Sequence, residues 1–73
     1  MAHQTVVHSD PEILGGIPVF VGTRVPARIL FDYLEAGDNL EVFLRNYPQV
    51  KRSQAIAALE LASEVFLANA NTP

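Results

Sequence analysis

Three basic side chains, Arg45, Lys51 and Arg52, fall between Glu41 and Glu60 in a stretch without any acidic residue, and Ser53 and Gln54 follow them directly. Cations in such a cluster can contact phosphates. Lys51 or Arg52 would also suit guanine, and the Gln54 amide would suit adenine. The local charge is +3, inside a chain whose five basic and eight acidic residues sum to −3. A whole-molecule field of that sign repels nucleic acid, so DNA binding has to be confined to this patch. The plainer reading is a solvated, charged turn. Glu60 and Glu64 restrict any docking to the first one or two turns of the helix that carries them.

A second candidate is Gly22-Thr23-Arg24, just ahead of a helix that opens at Pro26. Free N–H groups at a helix N-terminus favour an anion, either a backbone phosphate or a partner's carboxylate. The internal reading is preferred: Thr23 bonds to nearby backbone, and Arg24 pairs with a carboxylate such as Asp10 or Asp32, which a guanidinium fork suits equally well. On that reading Arg24→Ala lowers the melting temperature before it lowers any binding.

No catalytic constellation is legible. The chain has no cysteine, so thiol chemistry, disulfides and cysteine-ligated metals are excluded, and His3 and His8 alone do not make a zinc site. Ser9, Ser53 and Ser63 lack histidine and carboxylate partners in sequence context. The glycine-rich run from Gly15 to Arg24 lacks the Gly-Lys-Ser/Thr ending of a phosphate loop, and turn geometry accounts for Gly15 and Gly16. The expectation is a non-enzyme without metal or cofactor.

The elements that must position these residues follow from pattern. Thr5 to His8 and Pro18 to Val21 are short β-branched runs and predict two strands, Pro18 opening an edge strand. Between them, Ser9-Asp10-Pro11-Glu12 predicts one helical turn or a tight loop over Pro11 to Leu14. Pro26 to Ala36 is predicted as helix one, stopped by Gly37, with Ile29, Leu30, Tyr33 and Leu34 on one face and Arg28, Asp32 and Glu35 on the other. Asp38 and Glu41 resemble a capping box for helix two, whose apolar face is Leu40, Phe43, Leu44 and Tyr47 and which Pro48 ends. Helix three is predicted from about Arg52 to Leu67, ahead of a frayed tail from Asn69 to Pro73.

Helix three carries more apolar surface than one core requires. Ala55, Leu59, Ala62 and Phe66 form one stripe and Ala58, Leu61 and Val65 a second beside it. A single domain of 73 residues, with its core at about residues 5–66, buries only about 60% of its unfolded surface and gains from self-association. A broad apolar arc fits either a helix central to its own domain or a second-subunit contact, and the preferred expectation is that the second stripe is a homodimer interface. No apolar run reaches the ~18 residues of a membrane span, and Met1 to Asp10 lacks the basic-then-apolar pattern of a signal peptide, so the expected location is the cytoplasm.

The run from Asp10 to Pro26, containing Gly-Ile-Pro-Val-Phe-Val-Gly-Thr-Arg-Val-Pro, together with Leu34-Glu35-Ala36-Gly37, Tyr47-Pro48 and Ala57-Ala58-Leu59, resembles the small prokaryotic domain-of-unknown-function family numbered 433, over roughly residues 5 to 66. The resemblance implies a mainly α, homeodomain-like and winged-helix-like fold: a short N-terminal β-hairpin or β-arm, then a three-helix helix-turn-helix domain. It also implies an antitoxin-like role beside a PIN-like ribonuclease toxin. The family pattern has Thr or Ser where Lys51 stands, so the resemblance implies a weakly capped, more mobile first turn of helix three. The expected function is a dimeric, non-catalytic DNA-binding antitoxin whose third helix meets operator DNA. The alternative is an interaction module that dimerises and binds a partner without touching DNA.

Overall fold

The computed structural model describes residues 6–70. His3, the Thr5 end of the first predicted strand and the last three residues of the predicted tail lie outside them. Two short strands, β1 (Val7–His8) and β2 (Val19–Phe20), precede three helices, α1 (Ala27–Glu35), α2 (Leu40–Asn46) and α3 (Arg52–Ala70). The protein is thus mainly helical, with an N-terminal antiparallel hairpin.

The strands pair Val7 with Phe20 and His8 with Val19, and the Val21 amide donates to the Val6 carbonyl at 2.8 Å. On its other side β2 meets the chain returning toward α1: Val19 bridges Pro26, the Phe20 amide donates to Val25, and the Ala27 amide donates to Pro18. β2 is therefore flanked on both sides and is not the edge strand that Pro18 suggested. Pro18 and Pro26 stand at the open end of this second hairpin, where their missing N–H groups cost no ladder bond. The Asp10 carboxylate accepts the Glu12 amide, a one-turn 3₁₀ segment runs from Leu14 to Gly16, and Leu14 takes a left-handed φ of 50°.

Pro26 has extended backbone, φ −61° and ψ 134°, so α1 starts one residue later than predicted. Its bridge to Val19 holds it in the ribbon. α1 stops as expected at Gly37, whose φ is +93°. The Gly37 amide donates to Leu34 and the Asp38 amide to Tyr33, the two-bond closure that caps a helix when a left-handed residue follows it. Asp38 is used up in that stop. The cap of α2 is Asn39, whose Oδ1 accepts the Val42 amide at 3.1 Å, and the predicted Asp38 capping box does not form.

The core is one cluster that joins Val6, Phe20 and Val25 of the ribbon to Leu30, Phe43, Val50, Ala55 and Ala58 of the helical part. Ile29, Tyr33 and Leu34 of α1, and Leu40, Leu44 and Tyr47 at α2, pack against it as their periodicity predicted. Phe43 is fully buried and stacks within 6.2 Å, centroid to centroid, of Phe20, Tyr33 and Tyr47, so it fastens hairpin, α1 and α2 together. α3 enters this core only through its first turns. It runs three residues beyond its predicted end, to Ala70, and Val65, Phe66 and Leu67 are exposed by 62%, 70% and 56%.

Two expectations about α3 change accordingly. Ala58 is buried in the chain's own core and Leu61 is partly buried against it, so of the three residues assigned to a dimer stripe only Val65 is exposed. Ala55 and Ala58 face one core because residues three apart on a helix lie on the same side of it.

Candidate nucleic-acid interface at the start of the third helix

Tyr47-Pro48-Gln49-Val50 forms a tight turn, with the Val50 amide donating to the Tyr47 carbonyl at 3.0 Å and proline in the position that its fixed φ favours. The turn aims Val50 into the core and leaves Lys51 to begin α3. Val50 and Ala55, on either side of the helix start, are both buried and together fix the angle at which the chain enters.

Gln54 supplies the cap that Lys51 lacks. Its Oε1 accepts the Lys51 amide at 3.0 Å, and its Nε2 donates to the Val21 carbonyl at 2.9 Å. The first bond is half of a capping box; the second ties the helix start to the ribbon 33 residues earlier. Amide orientation is dictated by these partners, since an N–H needs an acceptor and a carbonyl needs a donor. The weakly held first turn implied by Lys51 is thus not found, and Gln54, occupied at both ends, is not presented to an adenine.

Arg52 reaches across to α2 and pairs with the Glu41 carboxylate, both side chains remaining more than half exposed. Arg45, in the last turn of α2, and Lys51 and Ser53 are exposed. The predicted cations are thus exposed near the α2–α3 junction, and Glu41 offsets the charge of Arg52. Nothing in the sequence pattern pointed to Glu41, eleven residues away and on another helix.

The Gly22-Thr23-Arg24 string caps the second hairpin. Thr23 donates its amide and its hydroxyl to the Phe20 carbonyl, and its hydroxyl oxygen accepts the Val25 amide at 3.0 Å. Gly22 has φ +81° at the third position of this turn, the place where a type II turn demands a left-handed residue. Arg24 is different: it is exposed and makes no ion pair or hydrogen bond among the described residues. The carboxylates expected to hold it are engaged locally, Asp32 with Arg28 at 3.6 Å and Asp10 with the Glu12 amide. The internal ion pair is thereby corrected, and so is the expected loss of melting temperature in Arg24→Ala. Through the Gln54–Val21 bond, the turn that carries Arg24 lies beside the start of α3.

Among the described residues no group of three His, Asp or Glu side chains is placed to hold a metal ion. No helix among them is long and apolar enough to cross a membrane. A family model described as a protein of unknown function, DUF433, matches residues 7–62. The chain belongs to that family. The match takes in both strands of the ribbon, the α2–α3 junction and α3 up to the point where its apolar face leaves the core. Another sequence similar to this DUF433 chain is an uncharacterized protein, y4eO, of Sinorhizobium fredii (strain NBRC 101917 / NGR234), 41% identical over 49 residues. The similar stretch makes up 67% of this chain and 22% of that protein, so the chain spans about a fifth of the relative's length. No solved structure matches the chain.

Proposed function

We propose that this protein is a small, non-catalytic, DNA-binding antitoxin-like protein of a toxin–antitoxin module, working as a homodimer in the cytoplasm beside a PIN-like ribonuclease toxin. The observation that carries the reading is the exposed set Arg45, Lys51 and Ser53 around the start of α3, joined by the exposed Arg24 on the neighbouring turn, which has no ion-pair partner among the described residues. Arg52 adds to it once it leaves Glu41, an exchange that costs little because both side chains are solvated. Gln54 is a positioning residue here, holding hairpin turn and helix start in one frame.

The test is a gel shift on DNA from upstream of the protein's own gene, at low and moderate salt, alone and with any neighbouring toxin-like protein. Two symmetry-related patches should give a log–log salt slope of a few units, about −0.9 for each phosphate neutralised. Half-sites should form an inverted repeat about one helical turn apart. Lys51→Ala and Arg24→Ala should weaken binding and flatten the slope, and Glu41→Gln should tighten binding by releasing Arg52. Equal binding to an unrelated fragment, in both samples, defeats the DNA reading. The exposed end of α3 favours one rival, a module that binds a protein partner without DNA, and that rival would then stand.

A further inference from the structure

Apolar side chains are exposed on two separate surfaces that carry opposite charges. One is the outer side of α3. At 100° per residue Ile56, Ser63 and Leu67 share a narrow arc, with Phe66 to one side and Glu60 to the other, and this arc is turned away from the buried Ala55 and Ala58. Ile56, Phe66 and Leu67 are exposed by 40%, 70% and 56%. Ile56 and Leu67 mark the ends of a ridge about 16 Å long at 1.5 Å per residue, with Ser63 between them, and Phe66 adds exposed apolar surface beside Leu67 on the side toward Ala55. Glu60 is exposed on its flank.

The other surface is a groove of about 530 Å³ between the start of α1 and the open end of the second hairpin, lined by Ile17, Pro18, Pro26, Arg28 and Ile29. Its walls are apolar and Ile17 is 44% exposed. The Arg28 side chain is 86% exposed, and its partner Asp32 is a solvated neighbour one turn along the same helix. The groove lies at the opposite end of the hairpin from the turn that Gln54 holds.

We propose that a second copy of this chain lays the Ile56–Leu67 ridge of its α3 in this groove, with its Glu60 against Arg28, and that two-fold symmetry returns the contact. The inference rests on the homodimer reading and moves its interface from Ala58, Leu61 and Val65 to the opposite side of the helix. Three facts select a second copy as the occupant. A convex apolar ridge and a concave apolar groove occur on the same chain. An anion flanks the ridge and a cation edges the groove. One ridge of three side chains falls short of the roughly 1,200 Å² that a stable interface buries, whereas two reciprocal contacts double the area.

The experiment is sedimentation equilibrium across micromolar to submillimolar protein for the unmodified chain, for Arg28→Glu, for Glu60→Arg and for the double variant. Both positions are exposed, and circular dichroism checks that each variant folds. The unmodified chain should form a particle of twice the 8.0 kDa chain mass. Each single charge reversal should weaken association by about tenfold or more, as like charges come face to face, and the double variant should recover most of it. Phe66→Asp should abolish association. A dimer that ignores the single reversals, or a double variant no tighter than either, overturns this contact while leaving the homodimer reading intact. A monomer at every concentration overturns both.

Discussion

Gln54 shows how much one side chain can hold in a domain of this size. It satisfies an orphan amide at the start of α3 and a carbonyl of the ribbon, groups that no other described side chain reaches. Gln54→Ala should therefore lower stability by about 1–2 kcal/mol, with both groups left unpaired. Gln54→Glu keeps the acceptor for Lys51 but sets a carboxylate against the Val21 carbonyl, so it should lose part of that stability and not all. Denaturant midpoints at fixed slope measure both, and an unchanged midpoint for Gln54→Ala would refute the bridging role. Gly22 makes a second case. A Cβ there would meet nothing within 4 Å, so the cost of Gly22→Ala is conformational, about 1–2 kcal/mol for φ +81°, and Gly22→Asn should recover part of it. The same midpoints check this.

At the scale of elements, α1 and α2 meet through rings. Tyr33 and Tyr47 stand edge to face at 5.9 Å, each against Phe43, and the Tyr33 hydroxyl accepts from Asn46 at 2.9 Å. Partial burial pushes the Tyr47 phenol above its ordinary 10.0, and the Tyr33 phenol beside it pushes in the same direction. A folded-state pKa above the unfolded one means that the folded form holds the proton more tightly. Stability is then complete below about pH 10 and falls as pH rises through the folded value. Urea midpoints followed from neutral pH upward should decline in that window. Tyr47→Phe should remove this part of the decline, and a decline of the same size in Tyr47→Phe would assign it to other groups.

Across the whole molecule, one small core carries everything. Phe43→Ala costs about 3–5 kcal/mol by the usual penalty for emptying an aromatic site, against about 4–11 kcal/mol for an entire domain of this length. Far-UV circular dichroism at physiological temperature should show substantial loss of helix. Val65→Ala, at a position 62% exposed on the overhanging part of α3, should leave the spectrum and the melting temperature nearly unchanged. Equal losses would mean that the end of α3 belongs to the folding core.

The apolar periods of α1 and α2, the stop at Gly37 and the two β-branched runs were sufficient to place the elements and most of the core, because each is a local signal: 3.6- and 2-residue periodicity, a left-handed glycine, a fixed proline φ. Local signals also singled out Arg45, Lys51 and Arg52, which are close in the chain and all exposed. What they did not contain is which side chains would be occupied. Arg52 is engaged by Glu41 on another helix, Gln54 by Val21 in the ribbon, and Arg24 has no partner among the described residues because Asp10 and Asp32 found nearer ones. Helical periodicity likewise grouped Ala58 with Val65 on one stripe. It carried no record of how far the shared core reaches along α3, and that reach makes Ala58 core and Val65 surface.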